Sequence, residues 1–134
     1  MAIVWRKDLE IGIEELDKQH KALIEHASDL LEACANGKGK EEVKDTLEFV
    51  SEYAVTHLKD EEAYQRKYNY PLYENHARVH KNFLEKVEQL KKQFEEEGPT
   101  LHFTIQFNRE VVDWFINHIS KMDKEFAKYV KENS

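Results

Sequence analysis

Apolar residues recur along most of the chain at alternating steps of three and four, the spacing that places side chains on one face of an α-helix. Residues that break or end helices separate four such stretches; they lie at 36–39, 69–71 and 98–99. The pattern predicts amphipathic helices at roughly 17–36, 40–66, 71–96 and 100–131, with Asp17 as the cap of the first helix. Residues 1–16 are predicted to form an irregular leader that packs on these helices.

Each predicted helix carries a single stripe of residues expected to face inward. The stripes are His20, Leu23, Ala27, Leu30 and Cys34; Val43, Leu47, Val50, Ala54, His57 and Glu61; His76, His80, Phe83, Val87, Leu90 and Phe94; and Leu101, Ile105, Val111, Phe115, Ile119 and Met122, with His118 beside them. Helices of this length with short connections pack most simply antiparallel, in up-down-up-down order. The sequence therefore predicts one domain over residues 1–134, an all-α four-helix bundle.

Composition and charge narrow the class of protein. Only four glycines and two prolines occur, and 35% of the residues are charged, which favours soluble helices. A net charge of −7 argues against a nucleic-acid partner, because phosphate binding needs clustered Lys and Arg. No apolar run is long enough for a membrane span, and Met1 to Lys7 lacks the apolar stretch of a signal peptide. A cytoplasmic location is therefore predicted. The single cysteine, Cys34, agrees with a reducing compartment and is expected to be a small core residue.

The inward stripes become polar at one end, and the antiparallel order brings these ends to the same level. An unpaired buried carboxylate or imidazole costs several kcal/mol, so a cluster on core faces implies mutual satisfaction, commonly through a metal. Seven candidate metal ligands are expected to reach one layer: His20, His57, Glu61, His76, His80, His118 and Asp123.

Each piece of this cluster is weak evidence by itself. Two polar residues four apart often form an exposed helix-stabilising pair, and His20 alone would more often be a hydrogen-bonded core histidine. Asp123 alone would usually be an exposed acid. The residues are stronger evidence together than singly, because the predicted topology places five of the seven histidines and two acidic residues at the same end of the bundle. His26 and His102 do not fit the layer and are expected to be structural or surface residues.

The ligand types then narrow the metal. Five imidazoles and two carboxylates exceed the needs of one tetrahedral zinc, whereas two octahedral ions that share bridging carboxylates would use all seven and leave a position open. Calcium and magnesium prefer oxygen ligands and fit poorly. The composition of the cluster therefore favours a pair of iron ions.

The spacing of the last two ligands predicts a distortion of the fourth helix. His118 and Asp123 are five residues apart, which in a regular α-helix separates them by roughly 140° around the axis. A π-type turn or a loosened hydrogen bond across residues 119–122 would let both side chains face inward.

These residues resemble those of the hemerythrins, and more closely the single-domain bacteriohemerythrins. The resemblance covers nearly the whole chain and is carried by ordered motifs: Trp5 with Ile11-Gly12-Ile13, Asp17-Lys18-Gln19-His20, His57 with Glu61-Glu62, Tyr70-Pro71, His76 with His80, and Trp114-Phe115-Ile116-Asn117-His118-Ile119 with Asp123. It implies two oxo- or hydroxo-bridged non-haem irons. One iron would be bound by His76, His80 and His118, the other by His20 and His57, with Glu61 and Asp123 bridging and dioxygen binding at the second iron.

The walls of the open position are expected to be apolar, so that water and anions are excluded and autoxidation is slow. Proximity to the ligands along the helices makes Leu58, Phe115, Ile119 and Met122 the candidates, with ordinary core packing as the alternative. Four positions depart from the usual family pattern: Leu58 stands where Phe is usual, Gln65 where Met is frequent, Phe115 where Leu is frequent, and Phe126 where Tyr is common.

Three classes of function follow from this interpretation. Reversible dioxygen binding for storage or delivery is the main prediction, by a protein that is not an enzyme. Oxygen or redox sensing through a separate partner protein is the first alternative. Peroxide or nitric oxide chemistry at the irons is the second, although the sequence shows no obvious added acid or base for it.

Overall fold

Four long helices dominate the computed structural model of the chain, which describes residues 5–133. The first three helices span Glu14–Ala35, Lys40–Lys67 and Tyr73–Glu97. The fourth occupies residues 101–132 and changes its hydrogen-bonding pattern along its length. The predicted all-α four-helix bundle is confirmed, and the predicted helix ends differ from the observed ends by at most three residues.

Contacts between opposite ends of neighbouring helices establish the antiparallel order. Gln19, near the start of the first helix, donates to Asp60, near the end of the second, over 2.8 Å. Lys44, near the start of the second helix, forms an ion pair with Glu95, near the end of the third, at 3.1 Å. The fourth helix packs against both the third and the first, which closes the bundle.

Phenylalanine side chains fill much of the interior between the helices. Phe94 of the third helix and Phe103 of the fourth lie with ring centroids 5.1 Å apart, within the range of favourable aromatic contacts. Six phenylalanines are almost completely buried: Phe83, Phe94, Phe103, Phe107, Phe115 and Phe126. Complete burial of each such side chain contributes roughly 1.5–3 kcal/mol, so these residues supply a large part of the stability of the bundle.

The predicted inward stripe of the fourth helix is wrong over its first two turns. Leu101 and Ile105 are 75% and 51% exposed, whereas Phe103 and Phe107 are buried. A regular α-helix cannot bury both pairs, because residues two apart lie on different faces. The larger aromatic side chains occupy the core because they bury more apolar area than Leu or Ile.

The start of the first helix also differs from the prediction. The helix begins at Glu14 rather than at residue 17, and Asp17 therefore lies within it. The Asp17 carboxylate accepts hydrogen bonds from the backbone N–H groups of Ile11, at 2.8 Å, and Gly12, at 3.1 Å. Asp17 thus holds the end of the leader against the helix instead of capping the helix itself.

The leader packs on the bundle through a few apolar side chains. A short 3₁₀ turn, Lys7–Leu9, precedes the first helix. Leu9 and Ile11 are buried, and Trp5 packs partly buried against the same core. The rest of the predicted leader, residues 1–4, lies outside the described residues. Within residues 5–133, no helix has the length and apolar character needed to cross a membrane.

Candidate metal centre

The structure brings all seven predicted ligands together in one buried layer at one end of the bundle. The first helix contributes from near its start, the second and fourth from near their ends, and the third from its first two turns. Each of these residues is at most 5% exposed: His20, His57, Glu61, His76, His80, His118 and Asp123. They form two overlapping sets of donor atoms, with Glu61 and Asp123 common to both.

The fourth helix supplies two of these residues because it contains a π-helical turn between them. The turn spans Ile119–Asp123, as the five-residue spacing of His118 and Asp123 predicted. A π turn accommodates one extra residue, so side chains five apart fall on the same face. His118 Nε2 consequently lies 3.1 Å from Asp123 Oδ1. A second π turn at Asn108–Asp113 was not predicted.

Three histidines form the first set of donors. His118 Nε2 lies 2.9 Å from His76 Nε2 and 3.0 Å from His80 Nε2. Two nitrogen ligands at about 2.1 Å from one octahedral ion, at right angles, are separated by about 3 Å. The three nitrogens therefore have the mutual spacing of neighbouring ligands on a single metal ion.

Two histidines form the second set. The rings of His20 and His57 lie edge to face with centroids 4.5 Å apart. The Nε2 atoms of both lie 3.6 Å from Glu61 Oε2, and His20 Nε2 lies 3.2 Å from Asp123 Oδ2. Two imidazoles and two carboxylate oxygens therefore surround a second point beside the first.

Each carboxylate offers one oxygen to each set. Glu61 Oε1 lies 2.9 Å from His76 Nε2, while its Oε2 faces the two-histidine set. Asp123 Oδ1 lies 3.1 Å from His76 Nε2, while its Oδ2 faces His20. The two carboxylates thus lie between the two sets of nitrogen donors.

Many donor atoms of the cluster lack a hydrogen-bond partner within residues 5–133. These buried atoms include both ring nitrogens of His20, His57 Nε2, and all four carboxylate oxygens of Glu61 and Asp123. Buried polar groups without partners cost several kcal/mol each, and they are rare in native proteins. Bound cations would satisfy them together, so the residues present fit a metal centre.

The electrostatics of the metal-free cluster keep its carboxylates charged. Burial and the neighbouring Asp123 raise the pKa of Glu61, but close contacts with the imidazoles of His20, His76 and His80 outweigh them and lower the pKa to about 2. Burial also raises the pKa of Asp123, yet the adjacent His118 and the other imidazoles near it hold this pKa well below its ordinary value. Two anions therefore remain in the core at neutral pH.

The histidines divide into cations and neutral rings. Burial lowers the pKa of His20 and His76, but the adjacent carboxylates of Asp123 and Glu61 outweigh burial and raise each pKa to about 9. The pKa of His57 is lowered to about 4, first by burial and then by the charge of His20. Protons on His20 and His76 thus balance the two carboxylates in the metal-free protein, and a metal ion would displace them.

Two ligands have outer partners that the sequence analysis did not assign. Gln19 Nε2 donates to Asp60, which turns Gln19 Oε1 towards His57 Nδ1 at 2.7 Å. His80 Nδ1 donates to Glu62 Oε2 at 3.0 Å. Both contacts place the proton on Nδ1 and leave Nε2 free to face the cluster, as metal-binding histidines require. Their only sign in the sequence is that Gln19 and Glu62 adjoin the ligands His20 and Glu61.

Apolar and aromatic residues border the cluster. The ring of Phe115 lies 5.6 Å from the rings of both His20 and His57, which places it beside the two-histidine set. Leu58 and Ile119, also predicted as pocket walls, are buried. Met122, the fourth predicted wall, is only half-buried.

A stacked aromatic residue that was not predicted covers the other set. The indole of Trp114 lies nearly parallel to the ring of His118, at 4.6 Å between centroids and 10° between planes. The ring of Phe83 also stacks on this indole, with ring centroids 3.9 Å apart. These stacked contacts restrict the orientation of the His118 ring.

The two remaining histidines lie outside the cluster, as predicted. The His26 ring packs edge to face against Phe49, with centroids 4.5 Å apart. His102 lies on the surface, 3.2 Å from the Glu97 carboxylate.

A comparison with protein families identifies the chain. The sequence profile of the hemerythrin HHE cation binding domain matches residues 11–130. The chain belongs to this family. Its resemblance to hemerythrins, first indicated by the ligand motifs, is therefore confirmed.

Several bacterial relatives of this hemerythrin-family protein match over almost its full length. A bacteriohemerythrin of Stenotrophomonas maltophilia is 29% identical over 129 residues, which cover 96% of this chain and 82% of the relative. One from Clostridium acetobutylicum is 28% identical, covering 92% of this chain and 97% of the relative. One from Campylobacter jejuni is 29% identical, covering 94% and 93%.

The family and the geometry agree on the kind of site. Proteins of the hemerythrin family bind non-haem iron. In this hemerythrin-family protein the buried cluster of histidine, glutamate and aspartate is suited to binding metal.

Proposed function

We propose that this protein binds dioxygen reversibly at a pair of carboxylate-bridged iron ions, for oxygen storage or delivery. The observation that carries the proposal is the pair of adjacent, buried donor sets with one oxygen of Glu61 and one of Asp123 directed to each. A single metal ion would leave one set of nitrogen donors buried without partners, which is costly.

Each ligand has a proposed place. His76, His80 and His118 would hold one ion, and His20 and His57 the other, with Glu61 and Asp123 shared. Octahedral coordination leaves the two-histidine ion with fewer protein ligands, so the open position for dioxygen is proposed there. When bound, the irons supply reversible one-electron oxidation at each ion.

The surrounding residues would protect this position. Phe115 packs against the rings of both His20 and His57, so its side chain would exclude water and anions from the exchangeable position. Gln19 holds His57 in the tautomer that directs Nε2 inward. Both residues would therefore favour release of unchanged dioxygen over irreversible oxidation of the irons.

The charge of the ligand set favours a carrier over an enzyme. Five neutral imidazoles and two carboxylates donate less charge than the carboxylate-rich ligand sets of the di-iron proteins built from Glu and Glu-x-x-His motifs. Such a set stabilises high oxidation states of iron poorly. Oxidative cleavage of the bound oxygen is therefore disfavoured, and we expect no turnover of an organic substrate.

We also propose a cytoplasmic location. Cys34 is the single cysteine of the chain and so has no internal disulfide partner, which agrees with a reducing compartment.

Metal analysis and spectroscopy under controlled oxygen test the proposal. The purified protein should contain two irons per chain, and after reduction without air it should develop a visible absorption band when oxygen is admitted. Degassing should remove the band, and repeated cycles should restore it. Zinc alone, one iron per chain, or irreversible oxidation at first exposure would contradict the proposal. An oxygen-dependent protein partner, or sustained consumption of peroxide or nitric oxide, would favour the sensing or enzymatic alternatives.

A further inference from the structure

Gln65 lies directly behind one of the proposed ligands. It follows Glu61 by one turn of the second helix and is completely buried. Its side-chain amide lies 2.7 Å from His76 Nδ1. On the opposite side of the same ring, His76 Nε2 faces Glu61 Oε1 at 2.9 Å and Asp123 Oδ1 at 3.1 Å.

The chemistry of the ring decides which amide atom must face it. A histidine that binds metal through Nε2 carries its proton on Nδ1, and that N–H needs an acceptor. In the structure Gln65 Nε2 is the atom near Nδ1, and Gln65 Oε1 is buried with no hydrogen-bond partner among the described residues. A half-turn of the amide exchanges the two atoms, so the same side chain can offer its oxygen.

We propose that Gln65 is a positioning residue for His76, and that its carbonyl oxygen accepts a hydrogen bond from the Nδ1–H group when metal is bound at Nε2. This inference rests on the proposed metal centre. Gln65 would then serve His76 as Gln19 serves His57 and Glu62 serves His80. An acceptor behind a metal-bound imidazole fixes its orientation and increases its basicity, and loss of such a partner typically costs about 10–100-fold in metal affinity or activity.

The alternative is that Gln65 only fills space in the core. Methionine has nearly the same length and shape but a thioether is a weak acceptor. A packing role therefore predicts little effect of Gln65→Met on metal binding, whereas a positioning role predicts a large one. Gln65→Glu distinguishes the packing role from the positioning role further, because a carboxylate accepts a hydrogen bond more strongly than an amide.

Iron release and reduction potential test the proposal on the loaded protein. Gln65→Met should release iron to a chelator about 10-fold faster or more, and Gln65→Glu should release it no faster than the parent protein. The reduction potential of the irons should be highest in Gln65→Met, intermediate in the parent protein and lowest in Gln65→Glu, because His76 becomes a more basic ligand along this series. The matched control is Gln106→Met, the same change at a half-buried glutamine near the start of the fourth helix, before the ligands His118 and Asp123. It should alter neither the rate of iron release nor the reduction potential.

A second measurement needs no variant. In the zinc-loaded parent protein with ¹⁵N-labelled histidine, long-range proton–nitrogen spectra should show His76 protonated at Nδ1, with slow exchange of that proton with solvent. A His76 Nδ1 proton that exchanges rapidly with solvent in the zinc-loaded protein would overturn the role of Gln65, even where Gln65→Met does not fold.

The outcomes separate this inference from the function on which it rests. A parent protein that takes up no metal pair would overturn both. A parent protein that binds the metals, but releases them no more slowly than Gln65→Met, would overturn the role of Gln65 alone. Equal losses in Gln65→Met and Gln65→Glu would also overturn it, because packing would then account for both.

Discussion

The position of Phe115 predicts that shortening this side chain lowers both the stability of the bundle and the protection of the irons against autoxidation. Phe115 is 2% exposed, so replacement by leucine removes three buried carbon atoms and leaves most of the contact surface. At about 0.8 kcal/mol for each buried carbon, Phe115→Leu should lower the free energy of unfolding by about 2 kcal/mol. Because the ring lies against both His20 and His57, autoxidation of the loaded protein should also become faster.

Phe103→Leu is the matched control for this experiment. Phe103 is also fully buried, but its ring pairs with Phe94 and Phe107, away from the cluster. Urea unfolding of the metal-free proteins should show a similar loss of about 2 kcal/mol in both variants. Decay of the oxygenated absorption band should be faster in Phe115→Leu alone. Equal acceleration in both variants, or in neither, would refute the assignment of Phe115 as a wall of the oxygen position.

Leu58 extends the same test. It adjoins His57 in sequence and is buried. If Leu58 and Phe115 share one volume, adding Leu58→Phe to Phe115→Leu should recover part of the lost stability, with a coupling of about 0.5–3 kcal/mol. Strict additivity of the two changes would show that they fill separate spaces.

Two further predictions follow from the charges in the cluster. Glu61→Gln removes a fully buried carboxylate that faces both donor sets, so the iron content should fall below two per chain. The control Glu52→Gln, on the exposed face of the same helix, should retain both ions. Two irons per chain in Glu61→Gln would contradict the bridging role of Glu61. The pKa values of His20 and His76 are raised from 6.5 to about 9, so metal binding near neutral pH should release protons from both rings. Metal affinity should therefore increase with pH up to about 9, while the metal-free protein loses stability as pH rises from 6.5 through 9; competition titrations and urea unfolding at several pH values measure both trends.

The layer of ligands could be predicted from the sequence because periodicity and topology act together. Spacings of four place His57 with Glu61 and His76 with His80 on common helix faces. Short connections then force antiparallel neighbours, so the end of the second helix meets the start of the third. No long-range contact had to be known in advance.

Two features could not be predicted, because they depend on three-dimensional packing. The exposure of Leu101 and Ile105 results from competition with Phe103 and Phe107 for the same core, and helical spacing alone fits either pair. The outer partner Asp60 reaches His57 only through Gln19 of another helix. A sequence shows which polar residues adjoin a ligand, but the facing helix decides whether they contact it.

The π turn at Ile119–Asp123 shows how a departure from regular spacing can itself be informative. Regular helix geometry would direct only one of His118 and Asp123 inward, and an aspartate buried without its partners would be costly. Asp123 is fully buried with its oxygens facing His20 and His76, so the π turn directs the carboxylate to the point where a bound cation would satisfy it. The unpredicted π turn at Asn108–Asp113 has no ligand pair of this kind. Chemistry at the centre therefore made one distortion predictable, whereas nothing in the residue spacing indicated the other.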